Sequence, residues 1–262
     1  MSESWRRGPC VLVLAGLDPS GGAGLLADAE AIRALGARPL CVATAMTVQT
    51  TARAFSFQAV GPSFVLEAAR ALLAAEDVRA IKLGMLGTPQ MARAAADLIA
   101  EAGLPVVVDP VLAASSGALL FRGTPDEARA SYRALLPGAV LTPNALEAQV
   151  LLSLAQPLAD VAAQGEAARA FVAAGARAAL VKGGHVSAVG AAPGDPGLAV
   201  DVLAEGARTV ELRGPRALGS ARGTGCRLAS ALAAGLAQGR SIEQAAREAK
   251  SFVLGYLLDA SL

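Results

Sequence analysis

Short apolar runs alternate along this chain with longer segments whose apolar positions recur every three to four residues. Residues 11–15, 39–46, 80–83, 106–109, 139–141 and 178–181 read as strands, several of them apolar on every position. A run with no polar alternation is what a strand buried on both faces looks like. Between them, residues 24–35, 62–75, 89–102, 145–152 and 160–174 carry the helical period. This strand–helix rhythm predicts a mainly parallel sheet covered by helices on both faces, a three-layer α/β/α fold. Residues 199–203 and 209–212 flank Ala204-Glu205-Gly206 and read as a hairpin, which would give the sheet an antiparallel edge. Two Ala-rich helices follow, one from Thr224 and one from Ser241, the latter with Gln244 completing a capping box. Residues 193–197 read as a surface loop. No repeat or linker interrupts the pattern, so residues 1–262 are expected to form one domain.

Composition narrows the function more than the fold. The 262 residues are 54% hydrophobic but only 3% aromatic, so the core relies on close packing of Ala, Leu and Val. A formal net charge of +1 with scattered arginines offers no footprint for nucleic acid. Cys10, Cys41 and Cys226 are odd in number and far apart, which fits neither a disulfide framework nor a zinc site. Ser4-Trp5-Arg6-Arg7 before an apolar run superficially resembles a secretion signal, but Asp18 breaks that run early and the run reads better as a first buried strand. No stretch approaches the ~20 apolar residues that span a bilayer. A cytoplasmic protein without membrane association is expected.

The chemistry is concentrated just after the strand-like segments, where open α/β sheets place their ligand sites. Gly223-Thr224-Gly225-Cys226 opens a helix. Glycines let main-chain N–H groups crowd an anion, and the helix start adds unsatisfied donors and partial positive charge. The same field is expected to favour the thiolate of Cys226. The alternative is a tight loop-to-helix turn with a buried cysteine. Upstream lie Asp18-Pro19-Ser20-Gly21-Gly22-Ala23-Gly24, Lys82-Leu83-Gly84-Met85-Leu86-Gly87, Asp109-Pro110-Val111, Thr142-Pro143-Asn144 with Glu147, and Lys182-Gly183-Gly184-His185.

Taken together and in this order, these blocks resemble the hydroxymethylpyrimidine and phosphomethylpyrimidine kinases of thiamine biosynthesis, within the ribokinase-like superfamily. The resemblance runs from about residue 11 to residue 253. It implies ATP- and Mg²⁺-dependent phosphorylation of 4-amino-5-hydroxymethyl-2-methylpyrimidine and then of its monophosphate, by a homodimer. By the same resemblance Cys226 is the general base, and Gly223, Thr224 and Gly225 supply main-chain donors to the transferring phosphoryl group. Asp109 and Glu147 serve the metal, and Lys182, Asn144 and Glu147 the nucleotide. Gly16, Asp18, Gln49, Met85 and Val111 line the acceptor pocket.

The residue types suit these roles, and each has a plainer reading. Gln49 offers a donor and an acceptor to an aminopyrimidine, or is a solvated loop group. Met85 gives soft contact to a ring face, or fills core. Asn144 and Glu147 share a helix face toward the phosphates, or Asn144 is an N-cap. Lys182 reaches a phosphate or idles in solvent. Asp28 reads as structural, Cys10 and Cys41 as core, and the lone His185 as structural or nucleotide-adjacent. The chain departs from the family pattern at Leu26, Thr50, Ala221-Arg222 and Arg227, where family members commonly carry Gln, Asn, Thr-His and Thr. Arg227 and Arg222 flank the anion loop, and at least one of them is expected to hold a phosphate of ATP or of the monophosphorylated substrate, or else both are surface charge. These departures keep a pyridoxine or pyridoxal kinase, or a non-catalytic vitamer-binding protein, open as alternatives.

Overall fold

The computed structural model describes residues 8–114, 116–184, 197–216 and 221–259. His185 and most of the loop expected at residues 193–197 lie outside these residues, as does the segment before residue 8. In chain order the elements are β1 (Cys10–Leu17), α1 (Gly24–Ala34), β2 (Arg38–Gln49), β3 (Ala54–Ala59), α2 (Pro62–Ala75) and β4 (Val78–Leu83). Then come α3 (Pro89–Ala102), β5 (Val106–Val108), α4 (Pro125–Ala134), β6 (Ala139–Leu141), α5 (Ala145–Leu151) and α6 (Val161–Ala173). The last are β7 (Ala178–Val181), β8 (Leu198–Glu205), β9 (Arg208–Pro215), α7 (Thr224–Ala237) and α8 (Ile242–Asp259).

The strands form one nine-stranded sheet in the order β3-β2-β1-β4-β5-β6-β7-β8-β9. The run from β2 to β7 is parallel. Both edges are antiparallel: β8 and β9 pair along their whole length, and β3 pairs back on β2. The β8–β9 edge is the expected one. The β2–β3 edge was not foreseen, and neither was α4, which opens on a Thr124/Glu127 capping box with Pro125 in its first turn.

Successive residues of β1 face opposite layers, as strand geometry demands. Leu12 and Leu14 join Ile81, Leu83, Val108 and Leu141 beneath α2 to α6. Val11, Val13 and Ala15 join Ala80, Val107 and Val140 beneath α1, α7 and α8. That second layer is largely alanine: Ala229, Ala231, Ala233, Ala234 and Ala245 are all buried, which brings α7 close to the strands. The strand order reverses direction between β1 and β4, so the sheet opens a crevice at their C-terminal ends.

The end of β7 is fixed by polar contacts. The Gly183 N–H donates to Asp201 Oδ1 at 2.8 Å, and Lys250 Nζ holds Asp201 Oδ2 at 2.8 Å. Gln164 Nε2 donates to the Val181 and Val200 carbonyls at 3.3 and 3.1 Å. A Cβ on Gly183 would lie 1.8 Å from the Val200 carbonyl oxygen, so the close approach of the chain to β8 requires glycine. Gly183→Ala is therefore expected to cost about 2–4 kcal/mol of stability, read as a lower urea midpoint. An unchanged midpoint would show that β8 yields freely.

Candidate active site

A cleft of about 220 Å³ lies at the crevice between β1 and β4, bordered by the ends of β1, β2 and β4 and by the loops after β5, β6 and β7. The first turn of α7 closes it. Every residue that the sequence singled out for the site borders this cleft except Arg227: Gly16, Asp18, Gln49, Met85, Asp109, Val111, Asn144, Glu147, Lys182 and Gly223–Cys226.

The floor at α7 is shaped by backbone. Gly223 caps the helix with φ +70°, and a Cβ there would sit 2.3 Å from the Gly22 carbonyl oxygen, so the turn after β1 and the loop before α7 touch through it. The helix's first main-chain bond runs from the Arg227 N–H to the Gly223 carbonyl at 2.9 Å. The N–H groups of Thr224, Gly225 and Cys226 precede it, without a helical acceptor, at the positive end of the helix. Such an array of free donors can receive an anion.

Asp18 organises the facing turn. Its Oδ1 accepts from the Ser20 N–H at 2.8 Å and the Ser20 hydroxyl at 2.7 Å; its Oδ2 accepts from the Ala23 N–H at 3.0 Å and Arg222 Nη2 at 3.2 Å. Burial favours its protonated form, but these bonds, one from Gln49 and the Arg222 charge outweigh it and hold the carboxyl below its ordinary range. Arg222 also donates to the Ser20 hydroxyl and to the Thr50 carbonyl, at 3.2 and 2.6 Å, strapping the turn to the end of β2. Met85 is buried against Ala45 and Phe57 while one side meets the cleft, so it fills core and lines the site at once.

On the opposite wall, Lys182 Nζ binds Asp109 Oδ1 at 2.8 Å and lies 3.9 Å from Glu147 Oε2. A Cβ on Gly225 would come within 3.0 Å of that ammonium, so the anion loop rests on Lys182. Lys182 therefore meets two carboxylates rather than solvent. Burial alone would lower its basicity, yet Asp109 and Glu147 hold it protonated. Asn144 is an N-cap: Oδ1 accepts from the Glu147 N–H at 2.9 Å, and Glu147 Oε2 accepts from the Asn144 N–H at 2.7 Å. Burial, opposed by Lys182 and reinforced by Asp109, pushes the Glu147 carboxyl up to about 7.

Cys41, expected in the core, is exposed on β2, and two expectations about the site need correction. The Arg227 side chain turns away from the cleft and is buried behind the loop. It donates to the Gly22 and Arg222 carbonyls at 3.1 and 3.2 Å, pairs with Glu30 at 2.6 Å and stacks 3.9 Å from the Tyr256 ring centroid. It braces the loop from outside the cleft, whereas it was expected to face a phosphate. The second concerns the Cys226 thiol, which the helix start was expected to acidify. Burial pushes it up to about 11, Lys82 pulls it down, and Asp28 and Asp109 add to the rise. The Gly24 N–H points at the sulfur, so the starts of α1 and α7 converge on it.

Sequence reasoning gave Lys82 no role. It is the penultimate residue of β4 and fully buried, with Nζ 2.8 and 2.9 Å from the Asp28 oxygens, and Ser230 Oγ donates to Asp28 at 2.8 Å. The signal for it was a lysine within the apolar run Ala80-Ile81-Lys82-Leu83 and an aspartate on the apolar face of the first helix.

Arg227→Thr is expected to lower stability by about 2–4 kcal/mol, because it leaves buried carbonyls unpaired, while the KM for ATP stays put. A raised KM with unchanged melting would return the arginine to the nucleotide. Glu147, with its folded value raised from 4.5 to about 7, makes stability fall as pH rises through that window. Glu147→Gln keeps the cap and removes this penalty, so its Tm at pH ~8 should exceed the wild type's by the equivalent of about 1–3 kcal/mol and match it at pH ~4. A lower Tm at the higher pH would contradict the burial argument.

Comparison with known proteins places the chain in a family. Residues 18–261 match the phosphomethylpyrimidine kinase family. The hydroxymethylpyrimidine/phosphomethylpyrimidine kinase of Streptomyces coelicolor is 38% identical over 250 residues, 94% of this chain and 88% of that protein. The crystal structure of phosphomethylpyrimidine kinase from Clostridium difficile superposes with a TM-score of 0.78 at 27% identity, over 95% of this chain and 99% of that one. Pyridoxal kinase from Staphylococcus aureus in complex with AMP-PCP and pyridoxal superposes with a TM-score of 0.81 at 27% identity, over 94% and 87%. The fold is that of the ribokinase-like kinases, and the chain belongs to the phosphomethylpyrimidine kinase family.

Proposed function

We propose that this chain, acting as one kinase domain, transfers the γ-phosphoryl group of ATP to the hydroxymethyl oxygen of 4-amino-5-hydroxymethyl-2-methylpyrimidine, and then to the phosphate of that product. The observation that carries the reading is the meeting, in one cleft, of the α7 N–H cradle with Cys226 and the Lys182–Asp109 pair. Gln49, Met85 and Val111 border the cleft and would take the ring, its polar edge on the glutamine and its face on the apolar pair. Thr224, Gly225 and Cys226 N–H groups would receive the charge that develops on the transferring phosphoryl oxygens. Lys182, with Asn144 and Glu147, would face the triphosphate.

Mg²⁺ fits the Asp109–Glu147 wall. Those two carboxylates already share a cation, Lys182, and magnesium needs few protein oxygens beside water and phosphate. Bound there, the ion would neutralise charge on the phosphate oxygens. As the acceptor oxygen bonds to the γ-phosphorus and the bond to the β-bridging oxygen breaks, the hydroxyl proton passes to the Cys226 thiolate, which becomes the thiol, and ADP departs. The second acceptor is a phosphate oxygen, ionised at neutral pH, and needs no base.

No helix among the described residues is long and apolar enough to cross a membrane. Free cysteines suit a reducing, cytoplasmic setting. A homodimer would give Met46 and Val48, side by side and exposed on β2, a surface to pack against.

Cys226→Ala tests the reading. It should cut the first phosphorylation by ~10²–10⁴, abolish the rise of kcat with pH through the alkaline range, and affect the second step far less. Equal loss in both steps would mean that Cys226 positions phosphate and takes no proton. Faster turnover of pyridoxine than of the pyrimidine would overturn the substrate assignment.

A further inference from the structure

Lys82 and Asp28 are fully buried, yet neither has a part in the reaction described so far. A buried ion pair gains little over apolar packing of the same volume, so its presence in an otherwise aliphatic core layer calls for a reason. Three elements build it: Lys82 from β4, Asp28 from α1 and Ser230 from α7. The site also keeps room for it. A Cβ on Gly84 would come within 2.6 Å of Lys82 Nζ.

Lys82 and Cys226 border the same cleft, and Ser230, which holds Asp28, lies one helical turn beyond Cys226 on α7, so the buried pair is anchored next to the segment that carries the sulfur. The Lys82 charge acts on that sulfur. Asp28 and Lys82 are the groups from α1 and β4 whose fields reach that sulfur; Asp109 after β5 and Lys182 after β7 reach it as well. Lys82 lowers the thiol's affinity for its proton, and Asp28 raises it.

We propose that Lys82 is a positioning residue for the transfer, its ammonium fixed by Asp28 and Ser230 so that the charge balance at Cys226 lets the sulfur exist as the proton acceptor. Asp28 sets the opposite limit, keeping the thiolate from persisting in the resting enzyme, where it would be open to alkylation and oxidation. The pair works as a bias on one sulfur.

This predicts opposite signs for two substitutions in one buried pair, which a purely structural role does not. The measurement is the rate at which iodoacetamide alkylates Cys226 in the full-length protein across the alkaline range, read by peptide mass spectrometry. Lys82→Met should slow alkylation about three- to tenfold at a given pH, because less of the thiol is ionised once the neighbouring cation is gone. Asp28→Asn, nearly isosteric and still able to bond Ser230, should speed it by a similar factor. The alkaline limb of kcat for the first phosphorylation should move the same way, to higher pH in Lys82→Met and to lower pH in Asp28→Asn. Unchanged rates, or changes of the same sign in both, would overturn the proposal. Should Lys82→Met fail to fold, Asp28→Asn decides alone: faster alkylation supports it, and unchanged or slower alkylation refutes it. The inference rests on Cys226 as the proton acceptor. Failure of that reading shows as normal turnover in Cys226→Ala, and failure of this one as unchanged thiol reactivity.

Discussion

Two ammonium groups stay charged inside this protein because each is held by a carboxylate, and the cleft is arranged around them. Lys182 lies against Asp109 with Glu147 beyond it; Lys82 lies against Asp28, which Ser230 also holds. An unpaired charge at either place would cost several kcal/mol, so each lysine fixes the element that carries its partner. Through these pairs β4, β7, α1 and α7 are drawn to one point. Gly225 rests on one ammonium and Gly84 leaves room for the other. The anion loop therefore has its own positive helix end and two fixed cations beside it.

The fold was legible wherever burial is two-sided. Apolar runs such as Val106–Val108 and Ala178–Val181 can hardly be anything but central parallel strands. The elements missed are the ones that burial does not mark. In β3 only Phe57 is fully buried, so its alternation is weak. In α4, Ala128 and Tyr132 alone face the core, and its one clear sign was local: Thr124, Pro125 and Glu127 at its start.

The site was legible as a set of strand ends, because main-chain topology alone brings those ends together. Which way a side chain turns was not. Cys226 and Arg227 are neighbours, but a helix rotates roughly 100° per residue, and that rotation sends one into the cleft and the other onto Tyr256. Thiol acidity was equally hidden. The helix-end field is visible in a sequence, whereas the burial and the two carboxylates that outweigh it come from segments far apart in the chain.

The Arg222–Asp18 pair spans 204 residues of sequence. Gly223 meets Gly22 across a similar distance. β1 is an inner strand of the sheet, yet the loop that meets its end of the cleft is synthesised long after it. A nascent chain can pair β1 with β2 and β4 early, while the turn at Asp18 waits for Arg222 and for the start of α7. Loop-closure entropy makes such late, distant contacts slow to form. The cleft is therefore closed on this side only once the segment at Arg222 and Gly223 has been made and has docked on the turn at Asp18.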